Sequence, residues 1–196
     1  MSRLLMLFVR NPELGKVKTR LAASIGEKQA LDVYIRLLQH TRNITRNLAV
    51  DKLVYYAERV EEEDLWEKDI YQKQVQPDGD LGEKMQGAFA AAFKEGYTSV
   101  MIIGSDCLQL SQAVIEEAFN QLQTHDVVIG PAEDGGYYLL GMNKLYPYLF
   151  QDKRWSTEYV FPDTLQDVHQ HNLSCFLLPT LSDIDHAEDL PAGFLL

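Results

Sequence analysis

Residues 3–25 read RLLMLFVRNPELGKVKTRLAASI. The run Arg3–Val9 is short, apolar and rich in strand-forming residues, and it predicts a buried β-strand. A polar loop follows, and the spacing of Leu21, Ala22 and Ile25 indicates that a helix begins after it. A strand that leads through a loop into a helix is the first part of a βαβ unit, so this stretch predicts an α/β fold.

The alternation of short apolar runs and amphipathic stretches continues along the chain. Further strands are predicted at Lys52–Ala57, Val100–Ile103, Asp126–Ile129, Tyr137–Leu140 and Ser174–Leu178. Helices are predicted at Glu27–Asn47, at Gly82–Lys94, at Gln112–Gln123 with Ser111 as N-cap, and, around the interrupting Pro162, at Thr157–His171. This order predicts a mainly parallel sheet with helices on both faces. The chain has neither an internal repeat nor a long linker, so residues 1–196 are expected to form a single domain.

The charge balance limits the classes of partner. The chain has 196 residues, with 18 Lys and Arg against 29 Asp and Glu, and a formal net charge of −11 at pH 7. We therefore expect no nucleic acid partner and no anionic membrane surface, because both need a basic surface. A small phosphorylated ligand needs only a local group of cations. The apolar runs are too short to span a bilayer, so no membrane span is expected.

Targeting and cysteine patterns are consistent with a reducing compartment. The chain enters its first strand directly, without the small-residue cleavage site that is typical of a secretory signal. Cys107 and Cys175 lack the CxxC spacing of a zinc site and cannot form a disulfide framework. We expect a cytoplasmic protein.

Ligands of open α/β sheets bind beyond the carboxyl ends of the strands, and the first such loop is cationic. Lys16, Lys18 and Arg20 lie where the predicted helix begins, and Glu13 is the nearby acidic residue in the sequence. Cations together with free helix N–H groups favour an anion such as phosphate. The alternative is a solvated basic turn.

Acidic residues follow two other strands. Asp106 comes after an apolar strand and Gly104-Ser105, and Asp183 and Asp185 follow the last strand. Side chains at i and i+2 of an extended segment share a face, so the late pair can point to one ligand. Such oxygen ligands suit Mg²⁺ or Mn²⁺. The alternatives are a turn or cap role for Asp106, and an N-cap at Asp185 with Glu188 in the capping box.

A further acidic segment contains Glu133, Asp134, Gly135 and Gly136. The Asp-Gly pair is typical of a tight hairpin turn. The same glycines would also let backbone amides approach a ligand closely. The convergence of a cationic loop and acidic clusters on one sheet edge favours a ligand site there.

Together these segments resemble the bacterial radical-SAM/selenodomain-associated transferases, predicted glycosyltransferases of the nucleotide-diphospho-sugar transferase (GT-A) superfamily. The matching motifs run in order from Pro12…Gly15-x-x-Lys18-Thr19-Arg20-Leu21 through Gly79-Asp80-Leu81-Gly82-Glu83-Lys84-Met85, Gly104-Ser105-Asp106, Gly130-Pro131-Ala132-x-Asp134-Gly135-Gly136-Tyr137-Tyr138 and Trp155-Ser156-Thr157 to Asp183-x-Asp185-x-x-x-Asp189-Leu190. Two positions depart from the family pattern: Leu108 stands where family members usually have Pro, and His186 where they commonly have Thr.

The resemblance implies a three-layer α/β/α Rossmann-like GT-A fold that holds a nucleotide diphosphate over a divalent metal. It assigns the metal to Asp106 and, by similarity to the 2-phospho-lactate guanylyltransferases, to Asp183 and Asp185. Nucleotide and phosphate contacts are assigned to Gly15, Lys16, Lys18, Thr19, Arg20, Asp80 and Gly82. Glu133 or Asp134 is the candidate base for an acceptor.

Three functions are compatible with these residues. The first is a metal-dependent glycosyltransferase with Mg²⁺ or Mn²⁺, a nucleotide sugar and a small-molecule acceptor. The second is a nucleotidyltransferase that uses a nucleoside triphosphate. The third is a non-catalytic binder of a nucleotide or phosphometabolite. The single glycine of the cationic loop favours the first over the second, because nucleotidyltransferases usually have a glycine-rich loop there.

Overall fold

A computed structural model of the protein describes residues 2–194, which contain a seven-stranded sheet. The strands are β1 (Arg3–Val9), β2 (Asp51–Tyr56), β3 (Gln72–Val75), β4 (Ser99–Ile103), β5 (Val127–Pro131), β6 (Tyr137–Met142) and β7 (Cys175–Leu177), in the spatial order β3-β2-β1-β4-β6-β5-β7. Only β6 runs against its neighbours, β4 and β5, and the other pairs are parallel. The predicted mainly parallel sheet is confirmed.

Within residues 2–194, five α-helices cover the sheet. They are α1 (Thr19–Ile25), α2 (Glu27–Thr45), α3 (Leu81–Lys94), α4 (Gln112–Gln121) and α5 (Val160–Gln170). Alternation along β1 explains the two layers: Leu5 and Leu7 pack with residues of α2 and α4, whereas Leu4 and Met6 pack on the other face with α3 and α5. The three-layer α/β/α arrangement is therefore confirmed.

Two differences from the predicted elements have physical causes. Strand β3 is absent from the prediction because Gln72–Val75 is a polar, largely exposed edge strand without an apolar run. Helix α5 begins at Val160, not at Thr157, and Pro162 lies in its first turn, where an N–H has no partner within the helix. The predicted N-cap of α4 is confirmed, because the Ser111 side chain accepts a hydrogen bond from the Val114 N–H.

The strand directions bring four loops to one edge of the sheet. Strands β1, β4, β5 and β7 all end there, and β6 begins there. The segment after β7 continues along this edge: Leu181 N donates to Pro131 O, and Ile184 N donates to Asp106 O at 3.0 Å. Residues 183–185, which we call the late acidic segment, are thereby fixed beside the end of β4.

Among the described residues, no helix combines the length with the continuous apolar character that a bilayer crossing requires.

Gly135 fixes the hairpin between β5 and β6 against the start of α5. Its φ is +86°, and a Cβ built on it would lie 2.3 Å from the Glu158 carbonyl oxygen. Its own carbonyl accepts the Phe161 N–H at 2.8 Å. Only glycine fits both the backbone conformation and the close approach of the neighbouring chain.

We predict that Gly135→Ala destabilises the protein more than Gly96→Ala does. Gly96 also has a positive φ, +93°, but a Cβ there would meet no atom within 4 Å. Gly96→Ala should cost about 1–2 kcal/mol of unfolding free energy from backbone strain, and Gly135→Ala at least about 1–3 kcal/mol more from overpacking. Urea denaturation measures both, and equal losses would contradict the role given to Gly135.

Candidate functional site

Lys18 lies at the centre of the candidate site. It is the N-cap of α1 and has left-handed backbone angles, φ 48° and ψ 46°, which a non-glycine residue rarely adopts. Its side chain is only 5% exposed. The Nζ atom donates to Asp106 Oδ2 at 2.9 Å and to Asp185 Oδ1 at 3.0 Å. One ammonium therefore bridges the end of β4 and the late acidic segment.

The other oxygens of these two carboxylates also accept hydrogen bonds. Arg20 donates to Asp185 Oδ2 at 3.4 Å, and the Ser105 hydroxyl donates to Asp106 Oδ1 at 3.4 Å. Ser105 in turn lies 3.4 Å from the Tyr34 hydroxyl oxygen. All four oxygens of the pair therefore have a donor within the protein.

Tyr34 and Asn11 hold the strand-end loops in place. The Tyr34 oxygen accepts the Arg10 N–H at 2.8 Å, and the buried Asn11 links the loop after β1 to the loop after β2 through Glu58 N and Arg59 O. Burial and the charge of Asp106 raise the pKa of Tyr34 to about 12, so its hydroxyl stays neutral. Sequence reasoning missed Tyr34, Asn11 and Ser105 as site residues. For Tyr34, the helical periodicity indicates only that it is in the core.

The side chains of the late acidic segment point alternately to opposite sides, as in an extended chain. Ile184 is buried against α1 and α2, whereas Asp183 and Asp185 face the other way. Although burial opposes ionisation, the charge of Lys18 holds the pKa of Asp185 below its ordinary value. Burial also lowers the pKa of Lys18, but Asp106 and Asp185 outweigh that effect and raise it. The bridging ammonium is firmly charged.

Asp183 is in a different electrostatic environment. Burial and the negative charges of Asp106 and Asp134 raise its pKa to about 7, and Lys18 offsets them only in part. The site therefore contains more carboxylate than its cations compensate.

The predicted hairpin turn is present next to these groups. Gly136 N donates to Asp134 Oδ1 at 2.8 Å, and Gly135 N donates to Ala132 O. Asp134 is exposed and acts electrostatically on Asp183. Glu133 is also exposed, and its backbone N–H donates to Leu181 O.

The start of α3 forms a second group at the same edge. Asp80 is its N-cap, and a reciprocal capping box joins Asp80 to Glu83. A Cβ built on Gly82 would lie 2.5 Å from the indole ring of Trp155. The motifs around residues 80–82 and 155–157, distant in sequence, are thus in direct contact.

The remaining residues of the cationic loop have other environments. Lys16 forms ion pairs with Glu13 at 2.7 Å and Glu58 at 3.3 Å. Gly15 lies beside Glu27 with a φ of +76°, and Thr19 is exposed at the start of α1. The sequence expectation that Glu13 is the acidic neighbour of the cations is incomplete, because the aspartates that bind Lys18 are distant in sequence.

Phosphate binding at the start of α1 stays a prediction; helix α1 has seven residues, and the side chain of its N-cap residue, Lys18, binds carboxylates. One local alternative is wrong. Asp185 is not a helix cap: His186 caps a 3₁₀ turn, Ala187–Asp189, and Asp189, not Glu188, completes the capping box.

Similarity to known proteins adds a family to this geometry. A family model described as "Uncharacterized protein conserved in bacteria (DUF2064)" matches residues 37–157, more than half of the chain. The chain belongs to the DUF2064 family. A search of curated proteins finds no match.

Solved structures confirm the fold of this DUF2064 protein. A "putative nucleotide-diphospho-sugar transferase" from Desulfovibrio desulfuricans G20 is 32% identical, with a TM-score of 0.86 over 99% of this chain and 90% of the other. The inositol-1-phosphate CTP transferase from T. maritima is 12% identical, with a TM-score of 0.62 over 99% and 94%. A manganese complex from Mycobacterium tuberculosis H37Rv is 11% identical, with a TM-score of 0.55 over 96% of both chains. The fold is that of the nucleotide-diphospho-sugar transferases, a Rossmann-like GT-A fold.

We predict that the stability of Asp183→Asn relative to wild type depends on pH in metal-free buffer. The folded pKa of about 7 lies above the ordinary 3.8, so between these values the folded state retains a proton that the unfolded state releases. The cost of ionising Asp183 therefore grows with pH and is complete above about pH 7. Asp183→Asn should leave the melting temperature unchanged at pH 4 and raise it at pH 8 by at least about 2–4 °C, the effect of ~1 kcal/mol in a chain of this size.

Asp185→Asn is the matched control, with the opposite sign. Its carboxylate is stabilised by Lys18, so the variant should melt lower than wild type at pH 8. Thermal denaturation at both pH values checks the pair, and stabilisation by both substitutions, or by neither, would contradict the environments described.

Proposed function

We propose that this DUF2064 protein is a transferase that uses a nucleotide-activated donor and a divalent metal ion, and that it transfers a glycosyl group from a nucleotide sugar to a small-molecule acceptor. The observation that carries the proposal is the convergence of Lys18, Arg20, Asp106, Asp183 and Asp185 on one sheet edge. Three separate parts of the chain meet there in a fold whose ligands bind at that edge.

The donor set fits a hard divalent cation in type. The groups concerned are carboxylates, the ligands that Mg²⁺ and Mn²⁺ prefer. The raised pKa of Asp183 marks an excess of negative charge that a divalent ion would offset. Within residues 2–194, however, no three acidic, His or Cys side chains are arranged to bind one ion, and Lys18 lies between two of the three aspartates. We propose that Asp106 and Asp185 hold the ion, with Asp183 beside them.

The cations of the site suit a diphosphate. Lys18 and Arg20 end near the same carboxylates, so a diphosphate there would meet two positive charges. Breaking the bond between the sugar and the diphosphate builds negative charge on the leaving group, and fixed cations stabilise that charge where water is largely excluded. The metal ion, when bound, adds Lewis-acid stabilisation of the same oxygens.

Asp134 is the better placed candidate for the acceptor base. Its backbone is fixed by the glycine turn, its carboxylate is exposed, and it interacts electrostatically with Asp183. Glu133 is the alternative. A carboxylate at this position would accept the acceptor hydroxyl proton as that oxygen attacks the anomeric carbon.

Two observations support glycosyl over nucleotidyl transfer. The 32%-identical structure is described as a "putative nucleotide-diphospho-sugar transferase". The loop after β1 has a single glycine, Gly15, and so lacks the glycine-rich backbone with which nucleotidyltransferases usually surround a triphosphate. The CTP-using neighbours are too distant in sequence to support more than the fold.

The proposal predicts metal-dependent stabilisation by one nucleoside diphosphate and its sugar conjugate. A ligand at about 100 times its dissociation constant should add ~2.7 kcal/mol, or several degrees in melting temperature. Asp106→Asn and Asp185→Asn should abolish the part of the shift that requires Mn²⁺. Asp69→Asn, a change of equal charge at an exposed position, should keep it.

Product analysis separates the alternatives. Release of a nucleoside diphosphate, followed by ³¹P NMR, supports glycosyl transfer, and release of pyrophosphate from a triphosphate would replace it with nucleotidyl transfer. Saturable nucleotide binding without turnover across an acceptor panel would identify a non-catalytic binder. A panel without any metal-dependent shift would contradict the proposal.

A further inference from the structure

We infer that the Lys18 ammonium occupies the place of a divalent cation between Asp106 and Asp185, and that it must leave before the two carboxylates bind metal, so that metal and nucleotide bind as a coupled pair. The inference rests on the proposed function and adds an exchange step to it. Its basis is the geometry of one buried side chain.

Each carboxylate oxygen of Asp106 and Asp185 accepts one hydrogen bond from the protein, and the two side chains are 43% and 36% exposed. Lys18 bonds to one oxygen of each, at 2.9 and 3.0 Å, and Ser105 and Arg20 bond to the other two. Mg²⁺ needs its oxygen ligands at about 2.0–2.1 Å. A carboxylate oxygen can accept a hydrogen bond and bind a metal ion through its other lone pair, so the bonds from Ser105 and Arg20 can persist. The Lys18 ammonium, in contrast, lies between the two carboxylates, so an ion held by both requires that the two bonds of Lys18 are given up.

Charge makes the competition stronger than a loss of hydrogen bonds alone. A divalent ion bound to both carboxylates would lie within a few ångströms of an ammonium on the same oxygens, and the repulsion in a partly buried site is several-fold larger than in water. The side chain of Lys18 is 5% exposed, so solvent screens it poorly. Ammonium and metal therefore exclude each other at this position.

Lys18 has a route to another partner. It ends the loop after β1 and carries a flexible four-carbon side chain from a backbone held in the left-handed region. Arg20 forms an ion pair with Asp185 and is 64% exposed, so solvent is accessible beside the Asp185 carboxylate. A nucleotide diphosphate at this edge would offer the displaced ammonium anionic oxygens in place of the carboxylates.

Coupling follows from this exchange. Metal binding would break the two ion pairs of Lys18, which costs free energy. A diphosphate would offset that free energy by binding the displaced ammonium, so each ligand should raise the affinity for the other by the same factor. Without nucleotide, the wild-type protein should bind metal weakly. We expect the size of this coupling between metal and nucleotide binding to depend on the side chain of Lys18.

Mn²⁺ titration followed by electron paramagnetic resonance tests the inference without turnover. In the absence of nucleotide, Lys18→Met should bind Mn²⁺ at least about tenfold more tightly than wild type, because a unit charge in contact with both ligands is removed. Addition of the nucleoside diphosphate should tighten Mn²⁺ binding to wild type at least about tenfold and to Lys18→Met much less. Unchanged or weaker Mn²⁺ binding by Lys18→Met would overturn the inference.

Three further variants secure the interpretation. Lys18→Gly removes the ammonium and suits the left-handed backbone, so it should reproduce the tighter binding even where Lys18→Met folds poorly. Lys18→Arg keeps a cation and should stay at wild-type affinity. Lys68→Met removes an equal charge from an exposed pair with Glu62 and should also leave Mn²⁺ affinity unchanged.

The outcomes separate this inference from the proposed function. Tighter Mn²⁺ binding by Lys18→Met and Lys18→Gly with no response to any nucleoside diphosphate would support the exclusion by Lys18 and refute the nucleotide-dependent function. Coupling of nucleotide and Mn²⁺ that is equal in wild type and Lys18→Met would support the function and overturn the exchange.

Discussion

The ion pairs of Lys18 hold together three separate loops at one edge of the sheet. Its ammonium joins the loop after β1 to the end of β4 and to the segment after β7. Taking these charges out of water is costly unless each is paired, so the three loops stabilise one another as long as the pairs persist. The backbone bond from Ile184 to Asp106 fixes the same arrangement independently of charge. A ligand that rearranges the pairs therefore acts on a site whose backbone stays in place.

The excess of negative charge gives the site its chemical character. Asp183 is half-buried near Asp106 and Asp134, and within residues 2–194 its carboxylate forms no ion pair, which explains its raised pKa. A protein selected for stability alone would be expected to replace such a group by a neutral one. An aspartate at this position is understandable if a cationic ligand binds beside it. The loss of stability in the absence of that ligand is of a kind that functional sites commonly show.

Much of the fold could be predicted from the sequence because its strands are buried and apolar. The bounds of β1 match exactly, and the hairpin at Asp134-Gly135 follows from turn chemistry. The polar edge strand Gln72–Val75 has no such signal. The partners of Lys18 could not be read from sequence, since Asp106 and Asp185 are 88 and 167 positions away. The contact of Trp155 with Gly82 was likewise hidden. The radical-SAM association, the single domain, the cytoplasmic location and the roles of individual site residues stay predictions.

The most direct measurement is a crystal structure of the protein with Mn²⁺ and the nucleoside diphosphate that stabilises it, with the metal located by its anomalous scattering. We predict a manganese peak between Asp106 and Asp185 and the Lys18 ammonium on a diphosphate oxygen. A nucleotide bound away from this edge, or Lys18 still bridging the two carboxylates with nucleotide and metal bound, would contradict the account.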